Sequence, residues 1–399
     1  MAEFNIKLPR EVEYIIERLN LCGFRADIVG GCVRDTLLGK TPTDYDITTS
    51  ASPEEIKEVF KGEKIVETGI AHGTVTLVLK SGNYEITTYR IDGEYKDNRH
   101  PVSVSFTKSI ENDLARRDFT VNAMAYNKKD GITDLFCGMG DLKKGVIRAV
   151  GEAKVRFSED ALRILRAVRF ASVLGFEVEE KTAEAARLLK GNLKGVSRER
   201  ITAEWRKLLE GEGSYRVISL FGEVIKEVIP QLTLKRLPDE DIWQKFSGRE
   251  REIYLFALYS DKAGYICALK DMKSDNERLK FGASVLEIVE NPPGADEKSV
   301  AQTLIKYGEE VTDTAFRIGE AINAVPGDIR KITEKFKSKK TPVKVSDLDI
   351  SGREIISVGA SGEAVGKILN ALLLSAAVGE IENRREVLIS EAEKLVKSI

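Results

Sequence analysis

Apolar residues at Val12, Ile15, Ile16 and Leu19 recur at helical spacing and Gly23 follows, so residues 10–22 read as an amphipathic helix. "RADIVGG" then reads as a short strand ending at its glycines, and Cys32–Leu38 as a short helix closed by Gly39. "DYDITTS" (44–50) is strand-like. "SPEEIKEVF" opens a helix, with Ser52 as cap, Pro53 in the first turn and Glu55 completing a capping box. "TVTLVLK" and "YEITTYR" flank "SGN", the pattern of a hairpin. Residues 1–150 therefore predict an α/β region with a small mixed sheet.

The pattern changes after Gly151. Ser158 predicts the start of a helix whose first turn carries Glu159 and Asp160, the favoured sign there, with Ile164, Leu165, Val168 and Ala171 on its apolar face. From there to Ile399 nearly every periodic segment is helical, including "AEAARLLK", "RITAEWRKLLE" and "ERLKFGASVLEIVE". Punctuation is weak, at "NPPGADEKS" (291–299) and the basic "KSKKTPVK" (337–344). The expected class is α+β: a head at 1–150, a helical neck at 151–212, and a helical body and tail at 213–399.

Composition narrows the classes. The chain has 399 residues, 42% hydrophobic and 32% charged, with a net charge of −2. Any nucleic-acid surface must then be local rather than global. Four cysteines without a CxxC and only two histidines argue against a zinc site and suit a reducing compartment. Charged residues at Glu3, Lys7, Arg10 and Glu11 argue against a signal peptide, and "NALLLSAAVG" is too short to span a bilayer. A cytoplasmic protein with no membrane partner is expected.

The chemistry concentrates in "GGCVRDTLLGKTPTDYDITTS" (30–50). On a strand, Asp44 and Asp46 project from one face. Two carboxylates held close repel, and a hard divalent cation such as Mg²⁺ relieves them, as phosphoryl transfer requires. Alone, D-x-D equally suits a solvated strand end. The paired glycines serve either a reversal at positive φ or backbone donors aimed at a phosphate. Glu85, with Thr87 and Tyr89 on its face, is a third carboxylate candidate if its strand lies beside Asp44 and Asp46; a surface glutamate is the plain alternative.

"GGCVRD" and "DYD", followed in order by "RRDFTVNAMAY" (116–126), "DLFCG" (134–138), "EDALRILRAVRF" (159–170) and "SRERITAEWRKLL" (197–209), resemble the motif series of class II tRNA nucleotidyltransferases, the CCA-adding enzymes. The resemblance spans about residues 30–209; "DLDISGREII", Gly359, Gly366 and Asn383 extend it more loosely. It implies a polymerase-β-like head followed by neck, body and tail, and two-metal transfer from CTP and ATP onto the 3′ end of tRNA, with no DNA partner. It makes Asp44 and Asp46 the Mg²⁺-binding catalytic carboxylates. It places Gly31 and Arg34 at the triphosphate, Arg117 at the nucleotide, and Asp118 and Asn122 near the ribose.

Base choice can be reasoned from "EDALR". Asp160 and Arg163, at i and i+3, would neighbour each other on one helical face. One offers acceptors and the other donors. Cytosine and adenine both present an amino donor beside a ring-nitrogen acceptor; uracil and guanine present the reverse and would leave polar groups unpaired. A surface salt bridge is the plain alternative. Arg166 and Arg169 resemble family arginines that reach the nucleotide, though a solvated face explains them equally well. Arg198, Arg200, Glu204 and Lys207 suit intrahelical pairs, on a segment that steadies the reading helix. The polar "IDGEYKDNRHP" (91–101) resembles a family loop tied to the switch from C to A addition. His72 and His100 read as strand-end and loop residues. A poly(A) polymerase, a CC-only or A-only enzyme, a small-molecule nucleotidyltransferase and an inactive RNA-binding scaffold remain alternatives.

Overall fold

The first helix buries Val12, Ile15, Ile16 and Leu19 along one stripe, so α1 (Arg10–Leu21) docks by the face its spacing predicts. This is a computed structural model describing residues 6–70, 73–93, 104–234 and 237–398. The chain divides into two compact units, Met1–Pro230 and Gln231–Ile399.

In the first unit the elements that follow are β1 (Ala26–Val29), α2 (Gly31–Leu37), β2 (Ile47–Thr49), α3 (Pro53–Val59), β3 (Lys64–Gly69), β4 (Thr74–Leu79) and β5 (Gly82–Thr88). Ser52 caps α3 and Glu55 completes the predicted box. Then come β6 (Arg90–Asp92), β7 (Val104–Phe106), α4 (Ile110–Ala115), β8 (Met124–Asn127), β9 (Gly131–Asp134) and α5 (Gly138–Lys144). One mixed seven-stranded sheet runs β3-β4-β5-β2-β1-β8-β9. Its one parallel pairing, β2 with β5, sets Ile47 beside Ile86. Both faces of β1 are buried, as the centre of a covered sheet requires. The segment 91–101 begins in β6, but its residues 94–101, like His72, lie outside the described residues.

Residues 44–46 are not part of a strand. β1 ends where Gly30 turns the chain at φ +80 into α2. That turn leaves Asp44 and Tyr45 no strand to pair with. Asp46 is tied to β1 by its carbonyl, which accepts from the Val29 N–H at 3.0 Å. β2 therefore begins one residue later, at Ile47.

Beyond the sheet come β10 (Val146–Ile147), α6 (Ala153–Glu159), α7 (Leu162–Leu174), β11 (Glu177–Val178), α8 (Glu180–Leu189), α9 (Arg198–Glu210) and α10 (Ser214–Val228). Ser158 lies inside α6 and caps nothing; the predicted single helix is two. Asp160, at φ −134 and ψ 104, breaks the chain between them. Its Oδ1 accepts from the Leu162 N–H at 3.0 Å and so opens α7 in the manner of a cap. Asp160 and Arg163 therefore do not share a helical face.

The second unit is helical, from Glu240–Trp243 to Arg385–Ser398. Ser247 with Glu250 and Ser351 with Glu354 form capping boxes. Leu348, Ile355, Leu372 and Leu388 belong to one buried cluster near its end. Asn383 stitches that cluster's approach, donating to the Asp347 carbonyl at 2.8 Å and accepting from the Asp349 N–H at 3.0 Å. No described helix is long and apolar enough to cross a membrane.

Candidate active site

Two chemically distinct regions meet at the end of β1. The first is a cleft of about 740 Å³ whose lining includes Thr43, Asp44, Asp46, Tyr84 and Glu85. Although they precede β2, Asp44 and Asp46 face the same cleft. β5 runs beside β2, so Glu85 joins them there. Asp46 opens onto the cleft, yet protein crowds its other sides. This desolvation pushes its carboxyl above the usual range; Arg117 opposes the shift, while Asp44 and Glu85 add to it. Among the described residues, no group of three side chains is close enough to form a complete metal cage.

The second region is a buried alternation of guanidinium and carboxylate groups. Arg34, on α2, is 8% exposed and donates to Asn122 Oδ1 at 2.6 Å, across 88 positions of sequence. Asn122 donates to Asp118 Oδ1 at 3.3 Å. Asp118 Oδ2 accepts from Arg166 Nε and Nη2 at 2.8 and 2.6 Å. Arg166 Nη1 lies 3.7 Å from Glu204, which also pairs with Arg169 at 2.8 Å. Phe170 anchors the cluster, its ring lying 3.6, 5.2 and 5.3 Å from the guanidinium carbons of Arg169, Arg166 and Arg34. Burial pushes the Asp118 carboxyl up, but Arg166, with help from Arg163 and Asn122, outweighs it and holds the group below the usual carboxylate range.

Asp160 and Arg163 have separate anchors. Arg200 Nη2, on α9, donates to Asp160 Oδ2 at 2.7 Å. Arg163 donates to Glu159 Oε2 at 2.6 Å, to the Arg156 carbonyl at 3.3 Å and to the Arg116 carbonyl at 3.0 Å. Each Asp160 oxygen retains acceptor capacity beyond its one protein partner.

Comparison with known proteins decides the family. Residues 26–148 match the family model of the Poly A polymerase head domain, and residues 245–392 that of tRNA nucleotidyltransferase domain 2. The CCA-adding enzyme of Ligilactobacillus salivarius is 37% identical over 99% of this chain and 97% of that protein. That of Leuconostoc mesenteroides is 36% identical over 98% of each. This chain belongs to the CCA-adding enzymes. Among solved structures, the Bacillus stearothermophilus CCA-adding enzyme in complex with CTP aligns at a TM-score of 0.79, with 31% identity over 98% of this chain and 99% of that one. The Thermotoga maritima CCA-adding enzyme complexed with tRNA shares the fold at a TM-score of 0.68, with 23% identity over 98% and 96% of the two chains. The chain is thus a tRNA nucleotidyltransferase, with a polymerase-β-like head followed by a helical remainder.

The fold of this CCA-adding family member gathers residues that the sequence scatters. Arg34, Asp118, Asn122, Arg166 and Arg169 form one network, while Asp44 and Asp46 line the cleft. Arg117 stands between the regions, acting electrostatically on Asp46. Of the two glycines, Gly30 is the constrained one: a Cβ there would approach Arg117 Nη1 to 3.1 Å, at a φ that side chains avoid. Gly31 has ordinary room, 3.6 Å from Arg34 Nη2. Glu204 and Arg200 were expected in intrahelical pairs; instead they reach α7 and the break before it, because α9 packs along α7 and buries Glu204. Phe170 carried no legible signal beyond its place inside a motif, and Asp113, which precedes the 116–126 motif, carried none.

Proposed function

We propose that this chain adds C, C and A in turn to the 3′ end of tRNA, using CTP and ATP without a nucleic-acid template. The observation that carries this reading is the continuous network from Arg34 to Glu204, which passes through Arg166, one turn from Arg163, while Arg117, next to its Asp118, acts on Asp46 in the carboxylate cleft. The named ligands of the relatives, CTP and tRNA, support the same substrates here.

The donor set suits Mg²⁺. It offers only carboxylate oxygens, and the crowding that raises Asp46 is what a cation relieves. An incomplete cage fits a metal that takes its remaining ligands from water and substrate phosphates. Asp44 and Asp46 would hold it, with Glu85 the candidate third ligand. Bound there, Mg²⁺ supplies charge neutralisation and alignment for in-line displacement of pyrophosphate by the tRNA 3′ hydroxyl. Arg34 and Arg117, fixed before substrate arrives, meet the triphosphate at no reorganisation cost. Seven-residue α2 adds little dipole, so these guanidiniums and the Gly31 N–H carry that role. Asp118 and Asn122 border the ribose.

Asp160 accepts from the exocyclic amine of C or A, and Arg163 donates to the ring nitrogen. Their separate anchors hold that acceptor–donor pattern without either side chain supporting the other. Uracil or guanine would set like groups against like. Arg166 ties the reading helix to Asp118 of the head, and Arg169 ties it to Glu204 of α9. In the second unit, Lys337, Lys340 and Lys344 line a cavity of about 410 Å³ suited to an RNA phosphate, although Glu309 and Asp313 already engage Lys337. The boundaries of head, neck, body and tail at 150 and 212, and a cytoplasmic location, complete this reading.

The test offers tRNAs ending before CCA, after C and after CC, with Mg²⁺ and each nucleotide singly and together. Addition of C, C, A and then arrest is expected. A long A tail would identify a poly(A) polymerase, arrest at CC or A-only addition a partial enzyme, and no addition an inactive scaffold. Asp160→Ala is expected to lower the preference for CTP and ATP over UTP and GTP by about tenfold or more, with tRNA affinity kept; one lost buried hydrogen bond to a charged group is of this size. Unchanged selectivity removes Asp160 from base reading.

A further inference from the structure

Asp113, on α4, is fully buried, and neither the cleft nor the Arg34–Glu204 network uses it. Its Oδ1 accepts from Arg116 Nε and Nη2 at 3.0 and 2.8 Å. Its Oδ2 accepts from Arg117 Nη2 at 3.3 Å and from Thr48 Oγ1 at 3.5 Å. Thr48 lies on β2, two residues past Asp46. Among the described residues, Asp113 is the one carboxylate that ion-pairs with Arg117. Arg117 Nε is buried without a hydrogen-bond partner, and Nη1 is wedged against the Gly30 turn. The grip of Asp113 therefore sets where this guanidinium stands.

We propose that Asp113 is a positioning residue for nucleotide transfer: it fixes Arg117 between the Gly30 turn and Asp46, and it registers the Arg116 backbone on which Arg163 rests. The inference rests on the nucleotidyl-transfer reading above. Adjacent arginines repel, and a buried carboxylate shared by both lets them stand side by side. Burial raises the Asp113 carboxyl, but Arg117 and Arg116 outweigh it and hold the group below its usual range, so it is ionised at neutral pH. The Arg116 carbonyl accepts from Arg163 at 3.0 Å, and the neighbouring Ala115 carbonyl accepts from Arg156 at 3.3 Å. One short stretch, 113–118, thus connects β2, the Gly30 turn and both helices that flank Asp160.

Asp113→Asn keeps the shape and removes the charge. Assayed on full-length protein well below its melting temperature, it is expected to lose about ten- to a hundredfold in kcat/KM for CTP and ATP alike, as a misplacement near 1 Å costs. A scaffolding role alone would lower the melting temperature and leave kcat/KM unchanged, and that result would overturn the proposal. A double-mutant cycle gives the second readout. Asp113→Asn with Arg117→Lys is expected to be within about twofold of the worse single variant, because both remove one interaction. Losses that multiply would overturn it. If Asp113→Asn does not fold, Asp113→Glu, which keeps the charge on a longer arm, takes its place in the same cycle with the same two outcomes. The wild-type assay separates the failures. A wild type that adds no C or A defeats the functional reading; one that adds them while both Asp113 variants match it defeats only this inference.

Discussion

The carboxylate cleft and the guanidinium network lie side by side, yet they relate to stability in opposite ways. In the cleft, desolvation pushes Asp46 toward its neutral form, and the like charges of Asp44 and Glu85 add to it. In the network, unlike charges alternate and Asp118 is held ionised below its usual range. The cleft is strained until something positive arrives; the network is satisfied before anything binds. Residues that must hold a metal cannot be saturated by the protein, whereas residues that must hold a shape can be.

The largest expected effect tests the first half of that contrast. Asp46→Ala should abolish addition of every nucleotide, by about a thousandfold or more, the order supplied by metal neutralisation of transition-state charge. The metal-free variant should melt no lower than wild type, since it loses a carboxylate that folding disfavours in its ionised form. Retained activity would remove the metal role; a markedly lower melting temperature in a denaturation scan would erase the contrast.

Asp118→Asn should reverse the balance, destabilising the fold by about 2 kcal/mol, between the values for exposed and fully buried ion pairs. Its pH dependence has a definite sign. Because the folded group is held below the ordinary carboxylate value of about 3.9, its stabilisation is complete above that pH and is lost as pH falls through the folded value. The gap in melting temperature between wild type and variant should stay constant from pH 7 to about 5 and shrink on further acidification. A gap that does not change would show that Asp118 is not held by charge.

The last test bridges the two regions. Gly30→Ala should cost about 1–3 kcal/mol for its backbone conformation and weaken nucleotide binding by displacing Arg117, whereas Gly31→Ala, inside α2 and with room, should not reduce stability. Equal melting temperatures for the two variants would contradict the assignment of the turn to Gly30.

Much of this was legible from residue order. The apolar stripe of α1, the Ser52–Glu55 box and the β4–β5 hairpin follow from local spacing, and the structure agrees at each. The motif order pointed to the family. Local reasoning failed where a distant partner decided the outcome. Asp44 and Asp46 were expected on a strand, but Gly30 bends their partner away after Val29. Ser158 looked like a cap, but Asp160 ends one helix and opens the next while Arg200, 40 positions on, holds its side chain. Glu204 suited intrahelical pairs until α9 was seen to lie along α7.

The sequence by itself determined the periodic elements, the family and the set of charged residues available for chemistry, because these depend on neighbours a few positions apart or on motif order. Only the tertiary structure decided which charges satisfy one another and which are left for a substrate. That division depends on burial and on partners as far apart as Arg34 and Asn122, and a carboxylate such as Asp113 gains its meaning from the two arginines it is buried against.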